Sequence, residues 1–319
     1  MSKVESDRRY KITNWRDYNR SLVQRGSLTI WIEEGVTDRW YALREAGRNG
    51  HPLVYSDEVI LMALTIRCVY NLPLRALEGF LCSILQIMGV HLSVPSYTQI
   101  CRRTKTMGKH LKRMTKRRPT DIVFDSTGLK VYGEGEWKVR AHGVSKRRTW
   151  RKLHVAIDPA SGEIVVNELT DNSAGDAPTA EGMLDKVHNN VQRVYGDGAY
   201  DSIKFRKKVH SKGAVPKVPP PRNATRSTHD EQAHHQRNGA IALINGLGGD
   251  DTARALWKKL TGYHVRSLVE TTMFRYKTIF GPVLRSRSWD NQRTESSVKC
   301  LVLNRMTKLG MPCGIWVEG

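Results

Sequence analysis

The stretch Asp121-Ile-Val-Phe-Asp-Ser-Thr-Gly128 places an acidic residue, Asp125, within a short apolar run. Its composition predicts a β-strand. Two further segments, Trp150–Asp158 and Glu163–Leu169, have a similar composition and are joined by the turn Pro159-Ala-Ser-Gly162. An aspartate within an apolar strand is costly unless it binds something positive. The sequence therefore predicts three consecutive strands, and the first carries a candidate functional carboxylate.

Downstream of these strands, helical and strand-like segments alternate. The predicted elements are a helix at Thr179–His188, a strand at Val191–Tyr195, a helix at Asp201–Ser211 and a strand at Ala214–Val218. Long helices follow, so the chain predicts an α/β fold with one central mixed sheet. The Pro-rich Pro216–Arg226 and the Gly-rich Asn245–Asp250 are predicted surface loops flanking a small insertion at about 219–255. Neither is a phosphate loop, because no Gly-Lys-Ser/Thr follows.

Upstream of the strands, residues 56–118 carry apolar side chains at three- and four-residue spacing, which predicts short helices. The third of these helices begins at Ser93-Val-Pro-Ser-Tyr-Thr98 and runs into Arg102 and Arg103. Residues 102–118 contain nine Lys or Arg and no acidic residue. This pattern predicts a helix-turn-helix-like DNA-binding region. The alternative is a small helical bundle with a solvated basic end.

The charge balance points to a polyanionic partner. Of 319 residues, 52 are Lys or Arg and 31 are Asp or Glu, which gives a net charge of +21 and an isoelectric point of about 10.0. A membrane is disfavoured, because the N-terminus has no apolar signal region and the run Phe80–Val94 is too short to span a bilayer. Five scattered cysteines indicate reduced thiols, not disulfides or a zinc site. We therefore expect a soluble cytoplasmic protein that binds nucleic acid.

A second candidate carboxylate, Asp197, follows the strand Val191–Tyr195. It lies between two glycines, which allow a ligand or another backbone to come close. The alternative for Asp197, as for Asp125, is a turn or capping carboxylate. For Asp201 we expect that structural role, at the start of the next helix.

A third candidate lies on the segment Tyr263–Lys277, for which the sequence predicts a helix. Tyr263, Arg266, Glu270 and Lys277 are spaced by three, four and seven residues. At about 100° per residue, the other three project within roughly 40° of Glu270. One face therefore presents a carboxylate with two cations and a phenol. An exposed helix with ordinary salt bridges is the alternative.

This spacing matches the Y-x2-R-x3-E-x6-K signature of bacterial insertion-sequence transposases with a DDE site, and the chain resembles the insertion-sequence-5 family in particular. Further segments that resemble that family are Asp125–Arg140, Trp150–His154, Asp197–Asp201, Gly262–Leu268, Leu309–Pro312, Tyr10–Trp15 and Arg25–Trp31. The resemblance covers nearly the whole chain. It is less regular from about Asn223 to Ala253.

The resemblance implies a ribonuclease-H-like catalytic core, a central mixed sheet flanked by helices, at residues 119–319. An N-terminal segment at 1–55 and the helical DNA-binding region at 56–118 would precede it. Asp125, Asp197 and Glu270 would be the catalytic residues and would hold two Mg²⁺ ions, for which Mn²⁺ substitutes.

The resemblance and the basic segments also identify residues expected to contact DNA. These are Arg102, Arg103, Lys138, Arg140, Arg147, Arg148, Arg151, Lys152, Tyr263, Arg266 and Lys277. Trp137 and Trp257 either stack on a displaced base or pack internally. The cluster His229, His234 and His235 lacks the spacing of a metal site.

The implied function is that of a transposase. It would bind the terminal inverted repeats of its element, free a 3′-hydroxyl at each end and join it to target DNA by in-line transesterification. The partners are double-stranded DNA and, by analogy, a second copy of the chain or a higher oligomer. One alternative is a DNA-binding regulator that keeps the fold without the chemistry. Another is a ribonuclease-H-like nuclease without strand transfer, which would not need the basic helical region. The three carboxylates with their flanking Arg and Lys favour the transposase.

Overall fold

The chain forms two compact units. The structure, a computed structural model, describes residues 8–32, 34–43, 53–108, 111, 114–115, 117–131, 150–188 and 190–318. Residues 1–95 and 302–319 form the first unit, and residues 96–301 form the second. This division does not coincide with the predicted boundaries at residues 55 and 118. The roles assigned to the segments 1–55, 56–118 and 119–319 therefore stay predictions.

The first unit combines both ends of the chain. Its elements are β1 (Arg8–Ile12), α1 (Trp15–Gln24), α2 (Leu28–Trp31), α3 (Asp57–Val69), α4 (Leu74–Ile87) and the last strand, β8 (Gly314–Glu318). Strands β1 and β8 pair antiparallel, with Ile12 opposite Gly314. This pairing was not predicted.

Helices α3 and α4 lie at 110° to each other across a short turn. Helix α3 begins after Ser56, whose hydroxyl accepts a hydrogen bond from the N–H of Val59. Asn71 in the turn has a φ of 57°, a left-handed conformation that asparagine tolerates better than most residues. Within the described ranges, no single helix is long and apolar enough to cross a membrane, and these two pass that test only together, as a bent pair. The predicted helices are confirmed here, whereas their DNA-binding role stays a prediction.

The second unit is built on a central mixed sheet. Its elements are α5 (Tyr97–Met107), β2 (Asp121–Val131), β3 (Trp150–Ile157), β4 (Ile164–Asp171), α6 (Asp176–Leu184), β5 (Arg193–Tyr195), α7 (Ile203–Ser211), β6 (Val215–Lys217), α8 (Gln232–Gly246), α9 (Asp251–Leu260), α10 (Ser267–Phe280), β7 (Val283–Leu284) and most of α11 (Trp289–Leu309). The strand order is β4-β3-β2-β5-β6. Strands β4, β3 and β2 form an antiparallel meander, whereas β5 and β6 run parallel to β2. The predicted α/β class, a mixed sheet flanked by helices, is confirmed.

The core against one face of the sheet fixes the position of β2. Phe124 packs against Tyr200 and Phe205, with ring centroids 6.2 and 6.1 Å away, and all three side chains are buried. Because successive side chains of a strand point to opposite faces, Asp125 lies on the other face of β2. The buried aromatic cluster therefore orients the neighbouring carboxylate.

Several predicted boundaries need correction. The predicted loop Pro216–Arg226 begins inside β6. Strand β6 lies at the edge of the sheet, and an edge strand tolerates Pro216 because a backbone N–H, which proline lacks, would need no partner there. The insertion at about 219–255 contains helix α8 and the start of α9, so it is more regular than predicted. The segment Tyr263–Lys277 is not one helix, because Tyr263–Arg266 forms a 3-10 turn before α10 begins.

Candidate active site

The strand register brings Asp125 and Asp197 to the same level of the sheet. Val123 of β2 pairs with Tyr195 of the parallel strand β5. Asp125 lies two residues further along β2, and Asp197 lies two residues beyond Tyr195, the last residue of β5. Ligands of α/β sheets bind outside the carboxyl ends of such strands. The Oδ1 atom of Asp125 accepts the N–H of Ser126 at 2.8 Å. The register thus aligns two carboxylates that are far apart in sequence.

The loop around Asp197 depends on the residue before it. A β-carbon at Gly196 would lie 2.8 Å from the ring of Tyr200, so only glycine lets the buried tyrosine pack there. Asp197 itself begins the 3-10 turn Gly198–Tyr200, and its Oδ1 accepts the N–H of Ala199 at 2.9 Å. The flanking glycines are predicted to give a ligand access, whereas this packing role of Gly196 has no signal in the local sequence.

Arg266 lies beside two of the candidate carboxylates. Its guanidinium forms an ion pair with Glu270, and its Nη1 is 3.8 Å from Oδ2 of Asp125. The Asp125 side chain is 19% exposed and that of Glu270 is 54% exposed. Two carboxylates from distant parts of the sequence therefore share one cation beside β2.

Tyr263 links this cluster to the loop of Asp197. Its hydroxyl donates a hydrogen bond of 3.1 Å to the carbonyl oxygen of Gly196. The ring is 6% exposed and packs 6.0 Å from that of Trp257, which is also buried. Trp257 therefore packs internally, which was one of its two predicted roles, while Trp137 lies outside the described residues. DNA contact by Tyr263 stays a prediction.

The electrostatics of Asp125 reflect a crowded acidic site. Burial raises the pKa of its carboxyl, and the nearby charges of Asp197 and Glu270 raise it further. The N–H of Ser126 and the guanidinium of Arg266 act in the opposite direction. Asp197 and Glu270 therefore both lie close enough to Asp125 for their charges to disfavour its ionised form.

The donor chemistry of the cluster fits magnesium, which prefers carboxylate oxygens. In the arrangement described, however, no three Asp, Glu, His or Cys side chains among the described residues are disposed to hold a metal ion. Arg266 supplies positive charge next to Asp125 and Glu270 instead.

Other residues predicted to contact DNA have partners within the protein. Arg151 pairs with Asp171 at 2.6 Å and lies 4.7 Å from the ring of Trp289. Lys152 pairs with Asp176 at 2.8 Å. Their contact with DNA stays a prediction and would compete with these ion pairs.

The remaining predicted DNA contacts divide into described and undescribed positions. Arg102 is exposed and Arg103 half-buried on α5, and Lys277 is half-buried in the last turn of α10. The other predicted contacts are Lys138, Arg140, Arg147 and Arg148, all outside the described residues.

The prediction that Asp201 caps a helix is wrong. Ser202 caps α7, with its hydroxyl accepting the N–H of Phe205 at 3.1 Å. Asp201, whose side chain is 1% exposed, instead accepts hydrogen bonds from Arg206 at 2.8 Å and Arg237 at 2.9 Å. A buried guanidinium needs a charged partner, and Asp201 supplies it.

Comparisons with known proteins identify two matching regions. Two family models described as "Transposase DDE domain" match residues 23–134 and 116–305, and the second match covers more than half of the chain. A cryo-EM structure of the piggyBac transposase synaptic complex with hairpin DNA is similar with a TM-score of 0.30 and 9% sequence identity. That similarity covers 94% of this chain and 84% of the other, and at this score it adds nothing to the family match.

Proposed function

Because this chain belongs to the DDE transposase family, we propose that it binds the terminal inverted repeats of its own insertion sequence, cleaves the DNA there and joins the ends to target DNA. Enzymes of this family generally use divalent metal ions. In cleavage, a water oxygen attacks phosphorus and the bond to the 3′ oxygen breaks, which leaves a 3′-hydroxyl and a 5′-phosphate. In joining, that 3′-hydroxyl attacks a target phosphodiester, so one phosphate ester bond forms as another breaks.

We assign the reaction to Asp125, Asp197 and Glu270. The observation that carries this assignment is the shared cation: Arg266 contacts both Asp125 and Glu270, although they come from different elements. Arg266 lies in the 3-10 turn that begins at Tyr263, and the hydrogen bond from Tyr263 to Gly196 links this turn to the loop of Asp197. When bound, two Mg²⁺ ions (or Mn²⁺ in their place) would supply activation of the attacking oxygen and stabilisation of the leaving oxygen.

Arg266 has two roles in this proposal. Without metal, it balances the charge of Asp125 and Glu270. With cations held by the carboxylates, its guanidinium would be available to bind a DNA phosphate, for which the planar fork of arginine is well suited. Lys277, about two turns after Glu270 on the same face of α10, would bind a neighbouring phosphate.

The DNA itself would be held by basic side chains outside the carboxylate cluster. The net charge of +21 supports a polyanionic partner, and exposed Arg102 on α5 is a candidate phosphate contact. Double-stranded ends and target DNA would meet in a complex of at least two copies, acting in the cytoplasm on nucleoid DNA. The subgroup, resembling the insertion-sequence-5 family, remains part of the proposal.

The test is a cleavage and joining assay with Mg²⁺ on duplexes that contain the sequences flanking the gene. Asp125→Asn, Asp197→Asn and Glu270→Gln should each abolish cleavage and joining but retain binding of the ends, because affinity comes mainly from phosphate contacts. Asp185→Asn is the matched control, since that carboxylate is 59% exposed and pairs with Lys208. A wild-type protein that binds the ends specifically but neither cuts nor joins them would refute the proposal in favour of a DNA-binding regulator.

A further inference from the structure

A separate pocket lies next to the loop of Asp197. It has a volume of about 490 Å³, within the range of roughly 300–1,000 Å³ typical of small-molecule sites. Gly198, the residue directly after Asp197, forms one part of its lining. The prolines Pro219–Pro221 form one wall, and α9 forms the other. No part of this pocket belongs to the carboxylate cluster described above.

The two walls are held together by one arginine. Arg254 of α9 donates hydrogen bonds to the carbonyl oxygens of Pro220 at 2.9 Å and Pro221 at 3.0 Å. Proline has a fixed φ and no rotatable side chain, so this wall is rigid and apolar. On the opposite wall, Ala255 is the smallest side chain and leaves the space open. The pocket is therefore a preformed slot with an apolar side.

The charged groups around the slot favour an anion. Three cations line it, and its one carboxylate, Asp251, is paired with Arg222 at 2.7 Å. Lys258 lies one turn along α9 from Arg254, on the same helix face, with its ammonium group 5.8 Å from the ring centroid of Tyr263. Because Tyr263 also bonds to Gly196, one side chain links Lys258 to the loop of Asp197.

We propose that this pocket binds one nucleotide of the DNA strand that passes through the carboxylate site, with the base against Pro219–Pro221 and its phosphate at Lys258. The inference rests on the proposed function, since that function supplies the strand. A nucleotide combines a flat apolar base with an anionic phosphate, which matches a rigid apolar wall beside a cation. Packing of a base face on the apolar proline rings involves no hydrogen bonds to the base edge, so the contact would be tolerant of sequence.

The test compares DNA ends in which single nucleotides near the cleaved bond are replaced by abasic sites. One such replacement should weaken binding to the wild-type protein about tenfold, because the base contact is lost. Ala255→Phe fills the slot, so it should show the same loss on intact DNA and no further loss on that abasic DNA. Leu256→Phe, at the next position of the same helix, is the matched control and should behave as the wild type.

A second pair of variants keeps the test valid if Ala255→Phe does not fold. Lys258→Ala should weaken binding of intact ends, whereas Lys259→Ala, also exposed on α9, should have a smaller effect. The proposal is overturned if the wild type binds and cleaves the ends while both pocket variants match their controls. It is also overturned if the losses from Ala255→Phe and from the abasic site simply add. A wild type that neither binds nor cleaves the ends would instead refute the transposase function itself.

Discussion

The hydroxyl of Tyr263 donates a hydrogen bond of 3.1 Å to the carbonyl oxygen of Gly196, immediately before Asp197 in the chain. One buried contact thereby joins the turn that carries Arg266 to the loop that carries Asp197. Since Arg266 in turn contacts Asp125 and Glu270, all three candidate carboxylates are connected through Tyr263 and Arg266. Positioning by Tyr263 and charge compensation by Arg266 can be tested separately.

Tyr263→Phe should weaken catalysis without weakening DNA binding. The variant keeps the ring and removes one buried hydrogen bond, which should lower the free energy of unfolding by about 1 kcal/mol. If the bond positions Asp197, the Mg²⁺ concentration for half-maximal cleavage should rise several-fold. Tyr18→Phe, which also removes only a hydroxyl, is the control. An unchanged Mg²⁺ requirement with the same loss of stability would restrict Tyr263 to a structural role.

Arg266→Gln should bind metal more tightly than the wild type in the absence of DNA. The guanidinium competes with metal for Asp125 and Glu270, although solvent at the half-exposed Glu270 reduces the effect to about three- to tenfold. Titration with Mn²⁺, followed by the electron paramagnetic resonance of the free ion, measures this affinity. Cleavage should nevertheless fall, because a phosphate contact is lost. Lys259→Gln is the control, and equal or weaker Mn²⁺ binding by Arg266→Gln would contradict the competition.

The sequence predicts the strands and helices that depend on local residue patterns. It does not predict contacts between residues that are far apart in the chain. The apolar composition of β2, β3 and β4 predicts three consecutive strands, which the structure confirms, because a strand that packs on a core needs apolar side chains. The same reasoning could not pair β1 with β8, since nothing local links the two ends of a chain. Such non-local pairing is visible only once the fold is known.

The candidate site shows the same limit. The helical spacing placed Arg266 and Glu270 on one face, which the ion pair bears out. The 3-10 turn at Tyr263–Arg266 advances about 120° per residue, however, so the position of Tyr263 departs from the helical projection. The position of Asp201 just before a helix predicts a cap, and no local pattern indicates that Arg206 and Arg237 converge on its carboxylate.

Asp201→Asn should strongly destabilise the second unit. It removes the charge that compensates the buried Arg206, and breaking a buried pair from one side typically costs about 3–5 kcal/mol. Unfolding by urea measures the loss. Asp230→Asn is the control, because its side chain is 95% exposed and pairs with the exposed His235, so it should change stability by less than about 0.5 kcal/mol. Comparable effects of the two substitutions would show that the pair around Asp201 contributes little.

Arg102→Ala should reduce the salt dependence of DNA binding. If the exposed Arg102 contacts a phosphate, the slope of log affinity against log salt should fall by about one, with all sequences weakened alike. A base contact would instead relax sequence preference. Lys204→Ala, an exposed cation on α7, is the control. No change in either slope or preference would remove Arg102 from the DNA interface.

His154 should make the stability of the protein depend on pH in the acidic range. The side chain is almost fully buried, with Nε2 2.9 Å from Oγ1 of Thr170 and Nδ1 3.4 Å from Oδ1 of Asp176. Burial lowers the pKa of His154 to about 4, while the charge of Asp176 opposes that shift. The imidazole is therefore neutral in the folded protein at neutral pH.

In the unfolded chain the pKa of a histidine is about 6.5, so the unfolded state binds a proton first as the pH falls. The stabilisation from His154 is thus present in full above about pH 6.5 and is lost as the pH falls towards 4. Between pH 7 and pH 5 this residue alone should lower the free energy of unfolding by about 2 kcal/mol.

His154→Gln keeps an amide that can bond to Thr170 and removes the titration, so its loss of stability over this interval should be smaller by that amount. His264→Gln, which changes an exposed histidine, should keep the wild-type pH dependence in urea unfolding at the two pH values. Equal pH dependence in the wild type and His154→Gln would mean that His154 is not the group that titrates.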